Sequence, residues 1–391
     1  MKRFFIIMLI LLVVSWSAGN RIQKSDSNAI VEVIDGVEYI HNTETPIYPD
    51  KTVTFVEDLS IGGEDEEENI LLYKPLWFAV DDNENIYISE QQDQVIKVFS
   101  SEGKYIKTIG AKGSGPGEFQ TITSLAFTKE GKLVVTDRTT KRTSLFDSSG
   151  KFLRSFQWYK DYFNFILLKT SSYVLGERAY SGTRQFGFLY VKEIDFNGNE
   201  LRSYGEFKLP EPLIIRDSSG THYTSLPVAH RSIFVGDKAK DLFYHCLNNK
   251  YIIEVYDSSG RLFRKIDRPY KPVPFTKKDA EVYRARYDYS GGSSAIKKAV
   301  KDMKMPKAKN VVSRMHVDDE SNLWVRTNEK KEEEEKILIA YDTFDSNGFY
   351  YTKIWTSILP SLFKDEKMYR RHIDQDTGYL SIKRYKIIWN Y

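Results

Sequence analysis

The sequence predicts an all-β chain, a six-bladed β-propeller, from a repeat, the punctuation of that repeat and an incomplete last unit. Asn85-Ile86-Tyr87-Ile88-Ser89-Glu90, then Val95-Ile96-Lys97-Val98-Phe99, then Ser101-Glu102-Gly103-Lys104 reads as strand, strand and tight turn. Forty-seven residues later, Lys132 to Asp137, Arg142 to Phe146 and Ser148-Ser149-Gly150-Lys151 repeat it, with Phe99 on Phe146 and Gly103 on Gly150 without a gap. A period of roughly 40–50 residues made only of short strands is that of a propeller blade, a sheet that buries its faces only by stacking on its neighbours.

The elements follow in order. Met1-Lys2-Arg3, the apolar run Phe4 to Val14 and the small residues around Ser15-Trp16-Ser17 read as a secretory signal peptide over residues 1–17. Eleven apolar residues are short of the roughly 20 that a spanning helix needs; an uncleaved anchor is the alternative. An N-terminal extension, 18–50, holds a short hairpin from Ile30 to Ile40 around Asp35-Gly36, a strong turn signal. The propeller is expected over 51–391. The acidic run Glu64 to Glu68 reads as a solvated loop. Blade one spans Leu72 to Gly110 and blade two Thr121 to Phe156, joined through Gly113-Ser114-Gly115-Pro116-Gly117-Glu118-Phe119. Blade three holds Tyr173 to Glu177, Phe186 to Ile194 and a turn at Asp195 to Asn199. Blade four holds Ser232 to Val235, Leu242 to Cys246, Ile252 to Tyr256 and the turn Asp257 to Arg261. Blade five holds Arg314 to Val317, Asn322 to Arg326 and Ile337 to Tyr341, with Lys330 to Lys336 as a solvated hairpin tip.

Blade six, Met368 to His372 and Tyr379 to Trp389, stops short. A ring must close or leave two exposed sheet edges, so the alternating segment Thr52 to Asp58 is expected to supply its outer strand. Between blades four and five the strand pattern breaks. Residues 276–304 are helix formers, with Thr276 and Asp279 as a capping box, Gly291-Gly292 between two helices and Pro306 as the stop. This helical insertion is a candidate lid over one face.

The 57 basic and 54 acidic side chains give a net charge of +3, and loss of Lys2 and Arg3 with the leader leaves about +1. That balance argues against nucleic acid as a partner. Cys246 is the only cysteine, so no internal disulfide forms and no lipid-carrying cysteine follows the leader. In Leu242-Phe243-Tyr244-His245-Cys246 it reads as a buried core residue. The expected chain is an exported monomer, periplasmic or extracellular, without a lipid anchor.

Asp82-Asn83-Glu84-Asn85-Ile86-Tyr87-Ile88-Ser89-Glu90 resembles the NHL repeat, which reads as an acidic turn, Gly-Asn and an apolar strand ending in Ala-Asp; Glu84 stands where that family has Gly, and Glu90 where it has Asp. Gly113 to Phe119 resembles the connector of the same repeats. With Asp35-Gly36-Val37, His41-Asn42 and Lys383 to Ile387, the layout is similar to exported bacterial six-bladed propellers of the NHL-like or TolB-like kind. That resemblance implies fold and compartment more than activity.

Glu90, Asp137 and Glu177 occupy equivalent second-strand ends, and Cys246, Thr327 and His372 the others. They read either as a carboxylate-lined mouth for a cation or polar ligand, or as turn caps, with Asp137 pairing with Arg142 across its loop. His245, His316 and His372 lie on strands of three successive blades and either converge near the axis or pack structurally. Arg138, Lys141, Arg142, Arg178, Arg184 and Arg326 collect at loop ends as a positive mouth for an anionic glycan or peptide carboxylate. No phosphate loop, nucleophile elbow or metal-ligand spacing occurs. Glu90, Asp137, Arg138, Glu177, Arg178, His245, Arg326 and His372 are therefore the candidate ligand-binding residues, with no catalytic residue and no cofactor, save that a channel-bound calcium or magnesium ion stays open. Two functions stand. One is a non-catalytic propeller binding a protein, peptide or glycan on one face; the other is a lyase or hydrolase with a polar or metal site at the channel mouth.

Overall fold

The computed structural model describes residues 21–24, 29–63, 72–157, 162–168, 172–180, 187–209, 212–217, 220–225, 229–289 and 294–391. The leader, the acidic run Glu64 to Glu68, Arg184 and Gly291-Gly292 lie outside them.

Six antiparallel sheets form the blades of a six-bladed β-propeller. Blade one is Pro75–Val80, Ile86–Glu90, Val95–Phe99 and Tyr105–Ile109, and blade two Ile122–Phe127, Leu133–Asp137, Arg142–Phe146 and Phe152–Gln157. Blade three is Tyr162–Leu168, Ser172–Tyr180, Gly187–Asp195 and Glu200–Lys208. Blade four is Ser232–Asp237, Leu242–Leu247, Ile252–Tyr256 and Leu262–Asp267. Blade five is Val312–Val317, Leu323–Glu333, Lys336–Phe344 and Tyr350–Thr356. Blade six is Leu362–Lys364, Lys367–Ile373 and Leu380–Asn390, and its fourth, outermost strand is Thr52–Ile61, paired from Ile382↔Ile61 to Asn390↔Thr52. The ring is thus closed by the segment the alternation singles out.

Apolar side chains fill the spaces between blades. Ile96, Val98, Phe119, Leu133 and Phe146 pack between blades one and two, and Trp324, Tyr341, Met368 and Tyr385 between five and six. Full burial of each such side chain stabilises by about 1.5–3 kcal/mol. The glycine of the repeated third turn serves this stacking. Gly103 and Gly150 have φ of +82° and +84°, and a Cβ would lie 2.8 Å from Leu59 or Ile109 on the outer strand of the preceding blade. Any side chain there would strain the turn and push neighbouring blades apart.

The N-terminal segment straps the outside of the ring. Ile30–Ile34 and Val37–His41 form the expected hairpin, with positive φ at both Asp35 and Gly36, as the favoured two-residue turn requires. The sequence gives no sign of where this hairpin docks. Val37–His41 lies parallel against the outer strand of blade four, from Arg264↔Glu38 to Asp267↔His41. Asn42 is buried and ties two blades together. Its amide donates to the carbonyls of Asp267 (3.2 Å) and Gly348 (3.0 Å), and its side-chain oxygen accepts from the Tyr350 amide (2.8 Å). Lys51 then donates to the hydroxyls of Tyr351 (2.5 Å) and Tyr391 (2.9 Å), inside a box that adds the faces of Tyr48 and Trp389.

Two insertions leave the blades. A hairpin, Pro212–Asp217 with Gly220–Ser225, follows blade three and has no counterpart in the sequence reading. Between blades four and five come α1, Lys277–Tyr289, and α2, Ser294–Asp302, and α2 touches that hairpin. The capping box forms at α1: the Asp279 carboxylate accepts from the Thr276 amide (2.8 Å), and the Thr276 hydroxyl accepts from the Asp279 amide (3.2 Å).

Asn42→Ala should lower stability by about 2 kcal/mol, because the Tyr350 amide and the two carbonyls lose buried partners; a shift of the urea midpoint at constant slope checks it. The hairpin should also respond to pH. His41 bonds Asp267 (2.8 Å) through Nδ1 and Glu32 (3.0 Å) through Nε2. Burial opposes its charge, but the two carboxylates prevail and raise its pKa above 6.5. Its contribution is therefore full below about pH 6.5 and is lost as pH rises through the folded value. Amide exchange across Ile30–His41, corrected for intrinsic rates, should quicken from pH 6 to pH 8, and His41→Ala should remove that dependence.

Candidate functional site

Strand direction sorts the loops onto two faces. Innermost strands begin on the face that carries the blade-to-blade connections, and so both insertions lie there. Each second strand ends on that face; the first and third turns of each blade lie on the other.

Glu90 and Asp137 sit at the insertion face, at matching ends of their strands, as the repeat predicts. Both are buried and their carboxylates engage backbone amides. Glu90 accepts from Lys74 (2.9 and 3.1 Å) and Gln92 (3.0 Å). Asp137 accepts from Gln120 (2.5 Å), Thr121 (3.0 Å) and Thr140 (2.9 Å). Each clamps the start of an innermost strand to the turn beside it. The expected Asp137–Arg142 pair does not form. Arg142 donates instead to the carbonyls of Gly115 (2.7 Å) and Ser114 (2.8 Å), holding the glycine-rich connector. Glu84, where the resembled repeat has glycine, takes the left-handed conformation (φ +59°) and faces Lys367 and Arg384 of blade six.

The remaining candidates are dispersed. Glu177 is buried against Lys192 (3.1 Å), and Arg138 is exposed. The side chain of Arg178 lies outside the described residues. His245 is fixed through both ring nitrogens, to Glu254 (2.9 Å) and Ser232 (3.1 Å), and stacks near Phe207 and Phe234. His316 lies on the innermost strand of blade five, and His372 on blade six, where burial first and the charges of Lys383 and Arg370 next lower its pKa. These histidines do not meet. Among the described residues no three His, Cys, Asp or Glu side chains come together as a metal site. Cys246 is buried, and burial pushes its thiol up to about 12, which suits a core residue rather than a nucleophile.

Beside a smaller concavity of about 470 Å³ between blades two and three, two others open among the described residues. On the turn face, innermost strands of five blades converge around about 630 Å³, lined by Phe78, Leu125, Asp237, Lys238, Asp318 and Lys364 among others. Four aspartates and three lysines line it, and two of the lysines are paired: Lys364 with Asp82 (2.8 Å) and Lys129 with Asp241 (3.0 Å). On the insertion face, a cleft of about 660 Å³ runs between α1 and blades four and five. Arg231, Lys278, Arg286, Lys309 and Lys330 line it, with Asp279 as its acid. Asp279 is engaged by Lys309 (2.7 Å), which with Thr276 brings its pKa to about 2 although burial would raise it. Among the described residues, the other four cations have no carboxylate partner, and all are exposed. Val282 and Ile337, exposed by 52% and 58%, add apolar surface to the same cleft. The sequence reading missed these residues. The lysine- and arginine-rich composition of the insertion was the available signal.

A family described as a six-bladed β-propeller matches residues 78–224. Among solved structures, a Bacteroides fragilis protein provisionally described as exported is similar, with 12% identity and a TM-score of 0.53, over 90% of this chain and all of that one. A Bacteroides vulgatus member of the DUF4221 family shares 11% identity over 86% of this chain and 98% of its own, with a TM-score of 0.49. Virginiamycin B lyase from Staphylococcus aureus, inactive and with quinupristin, shares 10% over 85% and 99%, with a TM-score of 0.38. The likeness to the Bacteroides fragilis protein bears on the fold alone. No curated protein matches the sequence.

Asp137→Ala should cost about 1–3 kcal/mol, because it strips partners from the Gln120, Thr121 and Thr140 amides, whereas Arg138→Ala should stay within about 0.5 kcal/mol. Paired thermal melts check both.

Proposed function

We propose that this chain is an exported, non-catalytic propeller that binds a carboxylate-bearing chain, an acidic glycan or acidic peptide, on its insertion face. The observation that carries this reading is the cleft beneath α1, where Arg231, Lys278, Arg286 and Lys330 stand without a carboxylate among the described residues. Cations held on a rigid rim attract a polyanion before contact, and the walls of a cleft strengthen that field. Val282 and Ile337 supply apolar area for the faces of sugar rings or aliphatic side chains. Loops projecting from a rigid scaffold are where binding residues collect. The leader at Met1 to Ser17 supports export, as does the description of the Bacteroides fragilis protein. A likeness to exported NHL-like propellers fits the same compartment.

The test is binding of polygalacturonate and of polyglutamate to the mature protein, followed by titration at rising salt. Either polymer should bind with an affinity that falls as salt rises. Lys278→Glu with Arg286→Glu, both exposed, should weaken binding by about tenfold or more while leaving the melting temperature within a few degrees. Unchanged binding in that double variant, or no binding of either polymer to the unaltered protein, would overturn the reading.

A further inference from the structure

We infer that blades five and six hold a discrete site for a tetrahedral oxyanion, a phosphate or sulfate group, gripped by Arg314, Arg326 and Arg370. Register brings these residues together. Arg314 pairs with Arg326 across the two inner strands of blade five, and Arg326 with Tyr341 across the next pair. Paired residues project to the same side of a sheet. That side faces blade six, because Trp324 and Tyr341 share a core cluster with Met368 and Tyr385. Arg370 lies two residues beyond Met368, so it projects from blade six toward blade five. His316 lies two residues from Arg314 and shares its side. The arginines act on common neighbours: Arg314 and Arg326 on His316, and all three on the Tyr341 hydroxyl.

This cluster lacks an internal counter-charge. Among the described residues none of the three arginines forms an ion pair, and Glu57 on the outermost strand of blade six is engaged by Lys383 (3.1 Å). Among the described residues, the one side-chain hydrogen bond of Arg370 is a long contact of 3.4 Å with the carbonyl of its neighbour Arg371. Three buried polar atoms point to the same need. Arg326 Nε, His316 Nε2 and the Tyr341 hydroxyl are buried without a hydrogen-bond partner. A buried polar atom left unpaired costs about 1–3 kcal/mol, and three guanidinium groups acting on one buried phenol repel one another. An anion removes both penalties. His316 is held neutral, its pKa lowered to about 3 by burial first and the two arginines next, so it offers a neutral ring in place of a fourth charge. Arg314 is exposed, while Arg326 and Arg370 are half-buried, which leaves an approach from solvent.

The choice of anion follows from the donor set. One guanidinium fork satisfies a planar carboxylate. Three arginines with a phenol and an imidazole match the greater charge and oxygen count of phosphate or sulfate. The site is independent of the cleft under α1, so it stands or falls without the polyanion reading.

The test is calorimetric titration of the unaltered mature protein with inorganic phosphate, inorganic sulfate, glucose 6-phosphate, galactose 6-sulfate and acetate. Saturable one-to-one binding of a phosphate or sulfate species, with acetate weaker by about tenfold or more, is expected. Tighter binding of a sugar ester than of its inorganic ion identifies a glycan ester as the source; the reverse identifies the free ion. Arg326→Gln, and separately Arg370→Gln on the other blade, should each weaken binding by about tenfold or more and shrink the rise in melting temperature that the anion produces. Lys278→Glu with Arg286→Glu should leave it unchanged. Absence of saturable binding, equal binding of acetate, or unaltered affinity in both arginine variants would overturn the inference.

Discussion

The rest of the structure depends on the antiparallel pairing of Thr52–Ile61 with Leu380–Asn390. Without it the ring has two open edges, and the apolar space between blades six and one loses Ile61. Every other interface is then a slab between neighbours that can slide apart. The strap makes this closure firmer than a single strand pair. Its hairpin pairs with blade four, Asn42 joins blades four and five, and Lys51 joins blade five to the end of blade six. Half of the ring is therefore bound around its rim by residues that belong to no blade until Thr52.

Much of this architecture was legible because it is local. The strand and turn patterns within each repeated unit, the Asp35-Gly36 turn and the capping box at Thr276 each depend on residues a few positions apart. The closing strand was legible for another reason, since an incomplete last blade and an unassigned alternating segment had only each other. The docking of Val37–His41 on blade four was not, because parallel pairing along an outer edge leaves no periodic trace. The three-residue strand Leu362–Lys364 was too short to show alternation. The hairpin Pro212–Ser225 stands apart from the repeat that organises the blades.

The functional residues divide along the same line. Position was legible and commitment was not. Glu90 and Asp137 occupy the matching strand ends that the repeat assigns them, but only in the folded chain do backbone amides fill their carboxylates. The arginine group needs the register after a bulge between Val312 and Arg314, together with a second blade whose approach no local pattern encodes. Net charge conceals the outcome. Acids and bases nearly balance along the chain, yet several acids serve as caps, such as Asp81, Asp137 and Asp318. In the cleft beneath α1 the charge left without a partner, among the described residues, is basic.

The Lys51–Tyr391 bond joins residues 340 positions apart, and this separation dictates the order of events during biogenesis. A chain that emerges N-terminus first presents Thr52–Ile61 long before its partner strand exists. Contacts of such long range form late and slowly, and an unpaired strand is prone to mispairing while it waits. Blades can form one by one as they appear, but the ring locks only when the last strand arrives. Under the proposed export that delay is useful: the unlocked chain stays loose enough to pass a translocon, and locking falls on the far side.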